Sequence, residues 1–393
     1  MASSSDAYQK KKAAELLAEG FGRLDDKKTA WEDLHGLSQD DQSDVRWSAA
    51  RAIRSVFGQV PNKDQAWTDL HRLAQDEESN VRLSAAHALK SVFDHIPDKK
   101  QAWADLNRLA QDENSSVRWN AARAMKSVFG QVSDKDQAWE DLHRLSRDEK
   151  SDVRWGVIEA LGSIFDQVPD KGKAWRILHR LSYDAECDVR SIAADALRWV
   201  FSQVPDKDQA WADLHRLSQD EKSDVRLIAT DALRSVFDRV PDKDQAWADL
   251  HRLSQDEKSN VRSSAASALR SVFSQAPDKD QAWADLHRLS KDEKSNVRSS
   301  AASSLRSVFG QVPHRDKAWA DLHRLSKDEN CVVRSKAAGA IGSVFNQIPN
   351  KNQAWMDLHR LAQDDESNVR LSTSQALGSA FSQVPDKDQA WMD

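Results

Sequence analysis

Apolar residues recur in this chain at helical spacing, in short stripes that are separated by polar turns. In residues 62–73 the first stripe consists of Ala66, Leu70 and Leu73, at positions i, i+4 and i+7. After the polar turn of residues 75–79, the second stripe consists of Val81, Ala85, Ala88, Leu89, Val92, Phe93 and Ile96. The pattern predicts two amphipathic helices, joined as a hairpin with one apolar side.

The polar residues that flank the stripes predict where each helix begins and ends. Asn62 stands three residues before Gln65, as in a capping box that opens a helix. Ser79 is predicted to be the N-cap of the second helix. Pro97 disfavours helix at the residue before it, so the second helix is expected to continue to that point.

The hairpin recurs with a period of 36 residues, without insertion or deletion. Residues 241–276 return as residues 277–312 with substitutions at only four positions. A tryptophan marks the same place in every copy, at positions 31, 67, 103, 139, 175, 211, 247, 283, 319, 355 and 391. A fixed period of this size is typical of stacked-repeat proteins, because one hairpin cannot bury its apolar side alone.

This period predicts one solenoid domain with three parts. Residues 1–24 are expected to form an N-terminal capping helix, residues 25–384 ten repeats of 36 residues, and residues 385–393 the start of an eleventh repeat. Ser133 replaces the usual proline of the fourth repeat without disturbing the register. The sequence stops at Asp393, before the first stripe leucine of the eleventh repeat. Truncation is the favoured explanation, and a helix that docks on something else, such as another copy, is the alternative.

A pair of charged positions links the hairpin to a known family. The sequence pattern D-x-x-x-x-V-R-x-x-A-A-x-A-L, as at residues 76–89, resembles the second helix of HEAT-like repeats. Its aspartate recurs at 40, 76, 112, 148, 184, 220, 256, 292, 328 and 364, and its arginine recurs six residues later each time. The resemblance covers essentially the whole chain. The invariant tryptophan and the 36-residue length depart from the commonest HEAT-like spacing.

The resemblance implies an all-α protein, an α-solenoid of about ten HEAT-like helical hairpins that forms a curved superhelix. In that family the aspartate and the arginine form a ladder between repeats, so the same ladder is expected here. The family also places its second helices along the concave side of the superhelix, which is the second expectation.

Composition and charge exclude few function classes. The 393 residues have a formal net charge of −6, which gives no global basic excess for nucleic acid. There is no run of 18 apolar residues and no apolar secretory core at the N-terminus, so a cytoplasmic protein without membrane contact is expected. Cys187 and Cys331 stand four repeats apart at a position that is serine in the other copies, and no disulfide between them is expected.

Histidine follows the tryptophan by four residues in most repeats, which raises the question of a metal site. Neighbouring copies should lie about 8–10 Å apart, one helix layer, whereas zinc holds its ligands at about 2 Å. Packing of the histidine ring on the tryptophan is therefore the favoured explanation, and no metal or cofactor is expected. The tryptophan is expected to fill the seam between repeats. On the same helix, Asp69 is expected to pair with Arg72 on the solvent side.

Motifs of enzymes with HEAT-like repeats are missing from the sequence. Deoxyhypusine hydroxylases bind iron through His-Glu pairs, and no histidine here is followed by glutamate. The bilin lyases resemble this chain in fold class, but no isolated group of residues indicates their chemistry. There is also no G-x-S-x-G motif and no phosphate-binding loop. The chain is therefore not expected to be an enzyme.

The positions that vary between repeats indicate a binding surface. On each predicted second helix, the residues two, six, nine and thirteen after the valine point away from the apolar stripe. In the N-terminal repeats they combine large apolar side chains with cations, opposed mainly by Asp94, and exposed tryptophan with arginine is typical of binding hot spots. The candidate partner-binding residues, here called the Trp/Arg strip, are Trp47, Arg51, Arg54, Leu83, Lys90, Trp119, Arg123, Lys126 and Trp155. The alternative is that these rings lie flat against neighbouring helices.

Two other parts of the chain depart from the strip's pattern. Repeats seven and eight carry serines at 263, 267, 299 and 303, which predict a featureless face. Near the middle of the chain, Ile177 replaces an otherwise constant aspartate, and Trp199 replaces the usual serine two residues before Phe201. These two replacements could form a second, less regular site.

The preferred function is a non-enzymatic scaffold that holds a protein or peptide partner on the concave surface. Nucleic-acid binding is the less favoured alternative. HEAT-like DNA glycosylases grip the backbone with a basic concave surface that carries aromatics, but Asp44, Asp152 and Glu159 interrupt the basic positions here. A structural rod that self-associates through the open C-terminal edge is the third hypothesis.

Overall fold

The computed structural model of the chain describes residues 2–132 and 134–381. In this part of the chain the secondary structure is helical, with no strand. The chain divides into two compact units, residues 1–205 and residues 206–393. Ser133 and the predicted start of an eleventh repeat at 385–393 lie outside the described residues.

The first unit contains a long N-terminal helix and five hairpins. The helices are α1 (Ala2–Gly20), α2 (Lys27–Leu37), α3 (Ser43–Val56), α4 (Lys63–Leu73), α5 (Ser79–Val92), α6 (Lys99–Leu109), α7 (Ser115–Val128), α8 (Lys135–Leu145), α9 (Ser151–Ile164), α10 (Lys171–Leu181) and α11 (Cys187–Val200). In each hairpin an 11-residue first helix precedes a 14-residue second helix.

The second unit repeats the same hairpin five times in its described residues. The helices are α12 (Lys207–Leu217), α13 (Ser223–Val236), α14 (Lys243–Leu253), α15 (Ser259–Val272), α16 (Lys279–Leu289), α17 (Ser295–Val308), α18 (Arg315–Leu325), α19 (Cys331–Val344), α20 (Lys351–Ala362) and α21 (Ser367–Ala380).

The helix starts are fixed by short polar side chains. Asn62 Oδ1 accepts a hydrogen bond from the Gln65 backbone N–H at 3.0 Å, so the predicted N-cap of α4 is confirmed. The predicted N-cap at Ser79 is wrong, because Ser79 is already the first residue of α5. The turn before α5 is held instead by Asp76, whose Oδ1 accepts from the backbone N–H of Glu78 at 3.0 Å.

The second helices end one turn earlier than predicted. α5 stops at Val92, and Phe93–His95 form a 3₁₀ turn before the extended residue Ile96. A 3₁₀ turn tightens the chain and satisfies the last helical carbonyls. Phe93 remains 1% exposed and Ile96 4% exposed, so the predicted apolar stripe is buried although its last residues are not α-helical.

The core of each unit runs along the second helices, which pack side by side. In the first unit α1 packs on α3, and each later second helix packs on the one before it, in the order α3, α5, α7, α9 and α11. In the second unit the second helices pack in the same way, in the order α13, α15, α17, α19 and α21. Ala14 and Phe21 of the N-terminal segment are fully buried. Every phenylalanine at the end of a second helix from Phe57 to Phe345 is 1% exposed or less. Burial of a side chain of this size stabilises by about 1.5–3 kcal/mol.

The repeated tryptophan lies between this core and the neighbouring repeat. Trp247 is 5% exposed, and its ring meets Phe237, from the end of the preceding second helix, edge-on at 6.5 Å. Trp355 makes the same contact with Phe345 at 6.4 Å. These contacts place the ring in the seam between repeats, as the sequence predicts.

Candidate partner-binding surface

Consecutive repeats are joined by a ladder of arginine–aspartate pairs. Arg46 Nε and Nη2 donate to the two carboxylate oxygens of Asp76 at 2.7 and 2.9 Å, and Arg46 Nη1 donates to the carbonyls of Asp40 and Asp41. The same two-pronged geometry joins 82 to 112, 118 to 148 and 154 to 184 in the first unit, and 226 to 256, 262 to 292, 298 to 328 and 334 to 364 in the second. The ladder implied by the resemblance to HEAT-like repeats is therefore confirmed.

The arginine keeps its aspartate ionised despite burial. Burial raises the pKa of Asp76, but the hydrogen bonds from Arg46 and from the Glu78 backbone lower it, and the net pKa lies below its usual range. Arg46 is only 7% exposed, and its guanidinium has a partner on each nitrogen. These groups are therefore committed to joining repeats and do not form part of a ligand site.

A second ladder connects the first helices through histidine. His35 Nδ1 lies 2.8 Å from Asp69 Oδ2, and His71 Nδ1 lies 2.7 Å from Asp105 Oδ2. In the second unit the pairs are His215–Asp249, His251–Asp285, His287–Asp321 and His323–Asp357. The solvent-side position predicted for Asp69 is wrong: the residue is 1% exposed because it faces the preceding repeat, although Arg72 still lies 3.6 Å away.

The histidine therefore contacts both a tryptophan of its own helix and an aspartate of the next repeat, and the aspartate contact was not predicted from the sequence. The predicted ring contact occurs, with Trp67 and His71 ring centroids 5.9 Å apart. The aspartate partner stands 34 residues further along the chain and becomes visible only when the histidine and aspartate positions of successive copies are compared. Among the described residues, no group of three or more histidine, cysteine, aspartate or glutamate side chains has a metal-binding arrangement.

The histidine ladder has a gap in the first unit, where two of its positions are replaced. Asn107 stands in place of histidine, and Asp141 Oδ2 is buried without a hydrogen-bond partner in the described structure. Burial raises the pKa of Asp141. One repeat on, Ile177 replaces the aspartate, and His143 turns to Glu140 at 3.6 Å. The replacement at Ile177 thus alters a contact between repeats.

The Trp/Arg strip occupies α3, α5, α7 and α9. All nine residues are accessible to some degree: Arg51 is exposed and the other eight are half-buried. The Arg51 guanidinium carbon lies 4.7 Å from the ring centroid of Trp47, and Arg123 lies 4.8 Å from that of Trp119. Cations at this distance are attracted to the ring face. Each of these two rings is therefore covered on one face by an arginine of its own helix.

Part of the Trp119 ring also packs on the next repeat. A Cβ added at Gly156 would lie 2.9 Å from Trp119 Cδ1, so the ring approaches the backbone of α9 at a place where only glycine leaves room. The alternative hypothesis, that the strip's rings lie against neighbouring helices, thus holds for one edge of Trp119. Because Trp119 is only half-buried, the remainder of its ring is accessible.

Cations crowd together in the middle of the strip. Burial and the nearby Arg123 lower the pKa of Lys90, and burial and Arg54 lower the pKa of His87. The carboxylate that balances them is Glu159, which lies 3.4 Å from Arg123 and 2.9 Å from Lys126. Asp94, the main opposing acid expected from the sequence, is itself exposed in the 3₁₀ turn after α5.

Beyond the strip, a cavity of about 420 Å³ opens between α9 and α11. Gly162 leaves space where neighbouring repeats carry a cation, and Trp199, which is 62% exposed, forms one wall. The Arg198 guanidinium lies 4.5 Å from the Trp199 ring and pairs with Asp195 at 2.7 Å. Trp199 is therefore an accessible aromatic side chain, as its departure from the repeat pattern indicated.

Cys187 and Cys331 are free thiols. Among the described residues, no helix combines the length and the apolar character that a membrane span requires.

Comparisons with known proteins agree with the repeat architecture. A family model for HEAT repeats matches residues 104–198. No curated protein matches the sequence. Among solved structures, the Kap95:Nup1 complex is similar at 13% identity and a TM-score of 0.67, covering 98% of this chain and 55% of that one. Yeast importin-β (Kap95p) is similar at 12% identity and a TM-score of 0.65, covering 92% and 51%.

A structure of Kap95p with RanGDP is similar at 13% identity and a TM-score of 0.59, covering 96% of this chain and 62% of that one. This chain thus spans little more than half the length of these proteins. At such low identity the likeness shows the fold: helical hairpins stacked as HEAT-like repeats.

Proposed function

Because the chain is a HEAT-like repeat solenoid, we propose that it is a non-enzymatic scaffold that holds a protein or peptide partner on the Trp/Arg strip. The observation that carries the proposal is the pair of half-buried tryptophans, Trp47 and Trp119, each with an arginine on its ring face. Tryptophan and arginine dominate the energetics of protein interfaces, because they combine a large apolar area with directional polar groups.

The solved relatives support a protein partner without identifying one. Kap95 is seen with Nup1, and Kap95p with RanGDP, so repeats of this architecture hold other proteins. A stack of helices offers a long surface whose residues vary while the joining ladders stay constant. That division applies here, since the Arg–Asp pairs recur in both units while the strip is confined to α3–α9. We place this scaffold in the cytoplasm.

Nucleic-acid binding is the second candidate, because Arg54, Lys90, Arg123 and Lys126 form a cationic group. Only Glu159 is paired with it among the described carboxylates. A duplex or single strand would have to be held against a chain of net charge −6, and binding through phosphates weakens steeply with salt. A gel-shift titration at low salt that detects no complex would exclude this candidate. The self-association hypothesis concerns the C-terminal edge, which lies outside the described residues.

Replacement of the strip's tryptophans tests the proposal. The variant Trp47→Ser/Trp119→Ser/Trp155→Ser is expected to lose the partners that the unaltered chain captures from native lysate, identified by mass spectrometry. The matched control is Leu371→Ser, which removes an apolar side chain that is 64% exposed on α21. Circular dichroism melting of both variants separates loss of binding from loss of fold. Equal capture by the triple variant would remove the strip as the binding site.

A further inference from the structure

The second helices carry a repeated cation whose ion-pair partner changes along the chain. This cation stands nine residues after the valine that opens the apolar stripe. The residue three positions before the cation varies between repeats. On α11, Arg198 pairs with Asp195 at 2.7 Å, and on α13, Arg234 pairs with Asp231 at 3.6 Å. In these two repeats the cation is therefore neutralised within its own helix.

In the next two repeats the acid is replaced by serine. Ser267 precedes Arg270 on α15, and Ser303 precedes Arg306 on α17. Neither arginine makes an ion pair with any described residue, whereas the equivalent Arg198 and Arg234 do. Replacement of aspartate by serine thus releases two guanidinium groups on adjacent helices.

These arginines open onto a polar groove, here called the serine–arginine groove. Its volume is about 750 Å³. Its lining contains three cations, Arg270, Arg306 and Lys336, several serines and no carboxylate. Lys336 makes no ion pair with a described residue either. Of the four serines on the face predicted to be featureless, Ser303 lines this groove, which is cationic and rich in hydroxyl groups.

The small side chains keep the groove open and the cations accessible. Arg306 and Lys336 are exposed and Arg270 is half-buried. Ser303 Oγ donates to the carbonyl of Ser299 at 3.1 Å, and Ser343 Oγ donates to that of Gly339 at 2.8 Å. The hydroxyls of Ser335 and Ser372 lie 2.7 Å apart and join α19 to α21. These serines are engaged within the wall of the groove, and the positive groups remain for an incoming ligand.

We propose that the serine–arginine groove binds a phosphorylated segment of a protein partner. A phosphate group on serine or threonine carries about 1.5–2 negative charges and three acceptor oxygens, which guanidinium groups bind through paired hydrogen bonds. Arginine clusters are a recurrent means of phosphopeptide recognition. A peptide backbone with one or two phosphates fits a groove that crosses four helices, α15, α17, α19 and α21, and carries three cations.

A nucleic acid fits the groove less well. Nucleic-acid binders that act through phosphates typically neutralise about 6–10 of them, and the groove offers three cations in a chain of net charge −6. The groove also differs from the Trp/Arg strip in lacking tryptophan, on which single-stranded bases would stack. A local group of three cations matches a ligand whose negative charge is equally local.

Fluorescence anisotropy with the full chain at low salt tests the proposal. The probe is a fluorescein-labelled glycine–serine peptide that carries two phosphoserines, compared with the same peptide without phosphate. Binding of the phosphorylated probe is expected to be at least tenfold tighter. The variant Ser303→Asp, which restores the acid that Asp195 and Asp231 supply in earlier repeats, is expected to weaken it at least tenfold, and Arg306→Gln is expected to do the same.

Two control variants locate the effect. Ser274→Asp adds the same charge at an exposed position outside the groove, where Asp238 stands one repeat earlier, and should bind the probe as the unaltered chain does. Trp119→Ser should also leave binding unchanged, so the groove and the Trp/Arg strip can succeed or fail separately. Absence of binding, equal binding without phosphate, an unaffected Ser303→Asp variant, or tighter binding of a single-stranded oligonucleotide would each overturn the proposal.

Discussion

At the scale of single residues, the buried aspartates of the first helices show how much one partner matters. Asp105 is fully buried and is held by His71 and by Arg108 at 3.0 Å. Asp141 occupies the equivalent place with Asn107 instead of histidine, and one of its oxygens has no hydrogen-bond partner among the described residues. Asn107 Oδ1 instead accepts hydrogen bonds from Gln111 Nε2 at 3.0 Å and from Arg144 Nη2 at 3.2 Å.

His71→Asn is therefore expected to destabilise the first unit. It leaves the buried carboxylate of Asp105 without its closest donor, and loss of a hydrogen bond to a charged group costs about 1.5–3 kcal/mol. The control is His143→Asn, because His143 faces Ile177 instead of an aspartate and pairs only with exposed Glu140. Urea unfolding measures both free energies. Equal losses for the two variants would show that the ring contact with tryptophan, and not the aspartate, stabilises the histidine.

At the scale of the helix, glycines at one repeat position reveal where neighbouring helices approach most closely. Gly162 and Gly342 both replace the cation of the second helix. A Cβ at Gly162 would lie 3.6 Å from Ala196 Cβ, an ordinary contact. A Cβ at Gly342 would lie 2.5 Å from the Cα and Cβ of Ala376, so α19 and α21 pack backbone to backbone.

Alanine at these two positions should have opposite effects. Gly162→Ala is expected to stabilise by about 0.5–1 kcal/mol, because glycine in a helix interior costs that much relative to alanine. Gly342→Ala is expected to destabilise by about 1–3 kcal/mol, because the helices must separate. Thermal melting of the two variants measures the difference. Stabilisation by Gly342→Ala would contradict the close approach of α19 and α21.

The helices themselves were largely predictable from the sequence, and the contacts between them were not. The period of 36 residues and the stripes locate every described hairpin, because hydrophobic spacing is a local property. The helix ends were missed at Ser79 and Val92, where Asp76 and a 3₁₀ turn decide the boundary. The His–Asp ladder, the role of Glu159 and the serine–arginine groove depend on which residues of successive repeats face each other. That information lies in the stacking geometry.

At the scale of the whole molecule, stability is built from interfaces between neighbours. Within each unit a second helix packs on the second helices before and after it, and both ladders join a repeat to the next one. No described hairpin contains a closed core of its own, since its apolar residues are buried by the adjacent repeats. Such an array is expected to open locally, starting beside a weakened interface.

Leu253→Gly should make this local opening visible. Leu253 is fully buried at the end of α14. Its removal leaves a cavity, and deletions of this kind cost about 2–5 kcal/mol. Glycine also has a lower helix propensity than leucine, which adds to the loss of stability. Hydrogen exchange followed by mass spectrometry is expected to show lost protection first in α13–α16, while α20 and α21 of the same unit keep theirs. The control is Ser274→Asp, which replaces an exposed residue outside the apolar stripe and should change neither region. If protection fell equally along the whole second unit, local opening would be contradicted and its repeats would unfold as one cooperative body. The interfaces would then have to be strong enough for the loss of one leucine to destabilise every repeat of the unit.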